Sequence, residues 1–134
     1  MGPTKVVVHY ADGRIIKGYS QDFLPTNPSF HVQPLDSGDS TEAADILISD
    51  LKAVFFVWDF LGDPTFQERK EIYEGAKIIG EVLEVTFKDG ERMVGSSLIY
   101  DPEKPGFFIF PADPEGNNLG VFVVSRAVSE VRHL

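Results

Sequence analysis

The chain has 134 residues, 43% hydrophobic and 25% charged, with a formal net charge of −9 and no cysteine. Those fractions describe a globular chain with apolar surface for one ordinary core or two very small ones, rather than a disordered segment. The carboxylate excess repels polyanions and disfavours nucleic acid as a partner. The missing cysteines exclude a disulfide framework, a thiolate zinc site and a cysteine nucleophile. Apolar runs such as 53–58 fall far short of the ~20 residues that cross a bilayer. No basic stretch followed by an apolar one opens the chain. The expectation is a cytoplasmic protein with no membrane partner.

The first run, 5–10, alternates, with Val6, Val8 and Tyr10 on one face and Lys5, Val7 and His9 on the other. Asp12-Gly13 follows, and Asp-Gly between alternating runs signals a tight hairpin because its turn needs positive φ. The second strand starts at Arg14 and carries Gly18 at its centre, where a strand glycine marks a bulge or a bend. A proline-bearing connection over 24–28 leads to a third strand, SFHVQP, closed by Pro34. An acidic loop over 36–44, a fourth strand over 46–49, a brief break and a fifth strand over 52–58 complete the set.

The same punctuation then returns at a constant shift of 77, as 89 − 12 and 111 − 34 show. Asp12/Asp89, Gly13/Gly90, Gly18/Gly95, Pro25/Pro102, Pro28/Pro105, Phe30/Phe107 and Pro34/Pro111 all match, as do Val8/Val85, Ser20/Ser97, Asp36/Asp113 and Val54/Val131. A repeat of this kind predicts a tandem duplication. Five short strands per copy, a bent second strand and a single turn before the fifth predict a mainly β chain of two five-stranded SH3-like or Sm-like small barrels. Their expected bounds are 1–60 and 83–134. The linker 61–82 between them carries Asp63 as an N-cap, Pro64 at the first helical position and Gly75 as a stop, which predict a short helix over 64–74.

The copies differ at informative places. Phe55 and Phe56 of the first stand where the second has Arg132 and His133, while Phe108 and Phe110 of the second stand where the first has His31 and Gln33. A large uncovered apolar patch would be anomalous, so Phe55, Phe56, Phe108 and Phe110, with Trp58 at the end of the fifth strand, are candidate interface residues. They would face the sister barrel, a second copy or another protein.

No catalytic or cofactor-binding constellation is visible. His9, His31 and His133 do not recur as histidine and share no ligand spacing, and the serines sit in neither a G-x-S-x-G elbow nor an S-x-x-K pattern. Asp36, Asp39, Glu42 and Asp45 lack the alternation of a calcium loop and are expected to be solvated. Glycine-rich phosphate cradles are missing too.

The segments DGRIIKGYSQDFLPTNPSFHVQP, DLKAVFFVWDFLGDP, VTFKDGERMVG and PGFFIFPADPEGNNLGVFVVSRAVSEVRHL together resemble an uncharacterised bacterial domain family of unknown function, over nearly the whole chain. The resemblance implies no catalytic residues and no cofactor. Family members are similar to modules attached to bacterial signalling and regulatory proteins. The arginine pair and D-x-S-x-x-G pattern of PilZ domains, which bind cyclic dinucleotides, are not present here. The expected function is a non-enzymatic protein-interaction or regulatory module, self-association included, with an Sm-like nucleic-acid or small-ligand binding module as the alternative.

Overall fold

The computed structural model describes residues 4–35, 43–57, 80–98, 100–111 and 118–134. The chain is mainly β and forms one ten-stranded antiparallel sheet. Its first five strands are β1 (Thr4–Tyr10), β2 (Ile15–Ser20), β3 (Ser29–Pro34), β4 (Ala44–Leu47) and β5 (Leu51–Val57). The next five are β6 (Glu81–Phe87), β7 (Arg92–Ser97), β8 (Gly106–Pro111), β9 (Asn118–Val124) and β10 (Val128–His133). β4 begins two residues earlier than the 46–49 that the sequence suggests. The single turns before the fifth strands are 3-10 turns at Ile48–Asp50 and Ser125–Ala127. The helix expected over 64–74 and Trp58 lie outside the described residues.

Spatial order along the sheet is β10-β6-β7-β8-β9-β5-β1-β2-β3-β4. Each half thus uses the same internal order, and the fifth strand of the first half pairs with the fourth strand of the second. The hairpins turn at Gly13 and Gly90, whose φ values of 97° and 94° are those only glycine adopts without strain. Each hairpin is pinned to the 3-10 turn of its own half by one bond, Ala11 N–H to the Asp50 carbonyl and Lys88 N–H to the Ala127 carbonyl.

Of the bulge or bend expected at the central glycines of the second strands, the pairing shows no bulge. Pairing of β1 with β2 runs unbroken from Thr4↔Ser20 to His9↔Ile15 through Gly18, and pairing of β6 with β7 runs unbroken through Gly95. A Cβ at Gly18 would instead lie 2.2 Å from the Gln33 carbonyl oxygen, and one at Gly95 2.2 Å from that of Phe110. The third strand crosses so closely that only glycine fits. Within each half the register shift falls in the fifth strand, where one extra residue, Lys52 or Ser129, interrupts the ladder to the first strand; a further shift lies in the β5–β9 ladder between Phe56 and Val57.

Two cores lie on opposite faces of the continuous sheet. One gathers Val6, Val8, Phe30, Val32, Ile46, Ile48, Leu51 and Val54, and the other Leu83, Val85, Phe87, Phe107, Ile109 and Ala127. The two middle strands feed both. Phe122 and Val124 of β9 belong to the core of the first half, while Ala53 of β5 joins Val121 and Val123 in the core of the second. Alternate residues of one strand point to opposite faces, so each of these two strands is buried on both sides. That explains their nearly unbroken apolar runs, AVFFV and VFVV. At the outer ends of the sheet, β4 and β10 have no further partner strand among the described residues.

Candidate interaction site at the seam

The halves join through a main-chain ladder. Its register pairs Ala53 with Val123, Val54 with Phe122, Phe55 with Val121 and Phe56 with Gly120. Phe23, in the connection after β2, sits at the centre of the aromatic packing over that ladder. Its ring meets Phe30 edge-on at 4.9 Å, Phe122 at 5.2 Å, Phe56 at 5.4 Å and Phe108 at 6.2 Å. Phe108 in turn lies 5.1 Å from Phe122 and 6.1 Å from Phe56. Tilted and edge-to-face pairs of this kind add to the area they bury, each by about 0.5–1.5 kcal/mol.

The sequence-derived candidates separate into distinct places. Phe56 and Phe108 pack on the first core, although Phe108 belongs to the second half, and Phe55 packs on the second core although it belongs to the first. The Phe55 ring also stacks on His9 at 4.6 Å. Phe110 stands apart. It is 40% exposed and its ring covers the open space above Gly120, at 3.6 Å from where a Cβ would be.

Phe110 and Leu98, which is 62% exposed, flank a groove of about 370 Å³ that continues over Phe108 and Phe122 to Pro25 and Pro105. Gly106 keeps that floor open, since a Cβ there would strike the Phe122 ring at 2.4 Å. Phe23, Leu98 and Gly106 were not legible as parts of a site. Their signal is present only once β9 is known to lie beside β5.

Electrostatics at the seam come from the bulge residue Lys52. Its ammonium crosses from the first half to the second-half hairpin, 2.7 Å from Asp89 Oδ2 and 2.9 Å from Glu91 Oε1, and lies 4.7 Å from the centre of the Phe87 ring. Burial alone would favour loss of its proton, but the two carboxylates more than offset that and hold its pKa above the ordinary value. The Lys52 ammonium likewise lowers the pKa of Asp89, chiefly through the direct hydrogen bond.

Other charges pair locally. Arg14 Nε lies 2.8 Å from Asp12 Oδ2, and Arg92 and Arg132 each reach Glu84 at 3.4 Å. These guanidinium groups therefore face carboxylates of their own chain. The three histidines stand on β1, β3 and β10 with different partners. His31 Nδ1 is 2.6 Å from Asp22 Oδ2, which raises the histidine pKa and lowers that of the aspartate, and its Nε2 is 3.9 Å from Asp45. His9 is shifted the other way, chiefly by burial. His133 lies 4.0 Å from Glu81 and 5.9 Å from the Tyr100 ring. Among the described residues no three acidic or histidine side chains are arranged to hold a metal ion. Asp36, Asp39 and Glu42 lie outside the described residues.

No described helix is long and apolar enough to cross a membrane. No curated protein and no solved structure matches the chain. A family model matches residues 2–134, and the chain therefore belongs to the family described as a family of unknown function, DUF6982.

Proposed function

We propose that this chain is a non-enzymatic protein-interaction or regulatory module of the cytoplasm, built from two duplicated small SH3-like or Sm-like units that share one sheet. The duplicated reading is supported by the 77-residue shift and by the identical strand order in both halves. The observation that carries the interaction reading is the exposed groove between Phe110 and Leu98. A cleft with an aromatic floor, proline walls and two exposed apolar rims suits an apolar side chain of a protein partner, because burying it removes both surfaces from water. Thr26, Ser97, Asp101 and Lys104 line the cleft beside its apolar rims, as a few polar groups do in sites that orient a bound partner.

The Sm-like nucleic-acid alternative is less well supported. Arg14, Arg92 and Arg132 each engage a carboxylate of the chain, and the net charge of −9 opposes phosphate.

Replacing Leu98 with a photo-reactive phenylalanine analogue tests the proposal. Illumination at native expression is expected to give one discrete cross-linked protein, lost when Phe110 is changed to Asp. Cross-links spread evenly over abundant proteins, or turnover in a broad substrate screen, would sink it.

A further inference from the structure

We propose that β10 of one molecule pairs antiparallel with β4 of a second copy of this chain, repeating between molecules the β5–β9 ladder that joins the halves within one. The template is internal. Shifting β5 forward by 77 residues gives β10, and shifting β9 back by 77 gives β4. Among the described residues, the one joint in which a fifth strand meets a fourth strand is already made at the centre of the sheet, and the two strands left at its ends are the other fifth and the other fourth. The two ends are different and complementary, so the contact is heterologous and continues from copy to copy until it closes.

Backbone geometry supports a unique register. Leu134 N–H donates to the Val82 carbonyl on the inner side of β10, so by alternation Val131 and His133 turn their N–H and C=O groups outward. Ile48 N–H donates to the Pro28 carbonyl, so Asp45 and Leu47 of β4, and Ala43 just before it, are the residues that face outward. Carrying the central pairing Val54↔Phe122 and Phe56↔Gly120 to the ends puts Val131 opposite Asp45 and His133 opposite Ala43. Outward-facing residues meet outward-facing residues, as a hydrogen-bonded ladder requires.

Side chains make this joint a polar counterpart of the seam. The central quartet Phe23, Phe56, Phe108 and Phe122 corresponds, by the same shift, to Tyr100 and His133 from one copy and His31 and Asp45 from the next. Half of that quartet is preassembled on each side. Tyr100 and His133 lie 5.9 Å apart as Phe23 and Phe56 do at 5.4 Å, and His31 Nε2 lies 3.9 Å from Asp45. Histidine on one edge and aspartate on the other complement each other. Bare strand edges that invite any chain are commonly blunted with charge. Here the charges select one partner, the matching edge of the same protein.

This surface is separate from the groove of the proposed interaction site, so failure of either leaves the other standing. Sedimentation of the full chain across its accessible concentrations is expected to show reversible association beyond a dimer, or a closed ring. Asp45→Lys and His133→Asp are each expected to weaken association about tenfold, and the two combined in one chain to restore it. Both positions are exposed, so folding measured by circular dichroism should be unaffected. The chain has no native cysteine, which allows a direct register test. Mixed Ala44→Cys and Arg132→Cys proteins should form an intermolecular disulfide under mild oxidation, and Leu47→Cys should not replace Ala44→Cys. A monomer at every concentration would overturn the proposal, as would association indifferent to the Asp45 and His133 changes, or equal cross-linking at positions 44 and 47.

Discussion

The centre and the ends of the sheet are built on the same plan with opposite chemistry. At the centre β5 and β9 are buried on both faces and meet through phenylalanine; at the ends β4 and β10 carry Asp45, Arg132 and His133. The backbone pattern alone is therefore not what makes a strand edge permanent. What decides is whether the residues that would cross the joint can be withdrawn from water without cost, and phenylalanine can while aspartate cannot.

The most demanding contrast lies between Phe122 and its outer equivalent Asp45. Phe122 is 1% exposed and fills the core of the half to which it does not belong in sequence. Phe122→Ala is expected to cost about 3–5 kcal/mol by the usual range for a buried aromatic, whereas Asp45→Ala should leave monomer stability nearly unchanged. Urea unfolding of the two variants decides it, and similar midpoints would mean that centre and ends are not different in kind.

Gly18 and Gly95 should behave alike, since each is crossed by a third-strand carbonyl at the same 2.2 Å. Alanine at either is expected to cost about 1–3 kcal/mol through forced displacement of backbone. A large effect at one and none at the other would show that one half relaxes where the other cannot.

A finer difference separates Ser20 from Ser97. Both are buried, but Ser97 Oγ donates to the Phe108 carbonyl at 2.8 Å while Ser20 Oγ has no hydrogen-bond partner among the described residues. Ser97→Ala should lose about 1 kcal/mol, and Ser20→Ala should be neutral or slightly stabilising. Thermal unfolding of both variants reads this directly.

The smallest effects concern pH. The Asp22 carboxylate raises the pKa of His31 above its ordinary 6.5, so this pair adds stability that is complete below pH 6.5 and fades as the pH rises through the folded-state value. Asp22 is lowered below 3.8, so its share is present above that pH and lost as the pH falls through its folded-state value. His9, lowered by burial, has the opposite sign to His31: folding gains as the pH rises from its folded-state value to 6.5. In an NMR titration Asp22→Asn should return His31 towards 6.5 and leave His9 where it is. A His31 that does not move would dissolve the pair.

Most of the fold was legible from local signals, because Asp-Gly turns, alternating strands and strand-ending prolines act within a few residues. Fourth-strand bounds were less so, since Ala44 and Asp45 carry no β signature and are set by pairing with Val32 and His31. The role of Gly18 and Gly95 needed the crossing strand. Of the candidate site, Phe55, Phe56, Phe108 and Phe110 stood out by differing from their equivalents, but nothing local told Phe110, at the rim, from Phe108, on the core. Phe23 escaped notice because its value lies in reaching across the β5–β9 ladder, a contact between strands far apart in the chain.

That ladder has a consequence for how the chain acquires its shape during synthesis. Val54 meets Phe122 only when about half of the chain's length has followed it, and contacts of such high sequence separation form late. When the first five strands leave the ribosome, their interior still has the space that Phe122 and Val124 will fill. The N-terminal half therefore emerges with a hole in its core and an apolar edge along β5, and needs either time or shelter until β9 arrives.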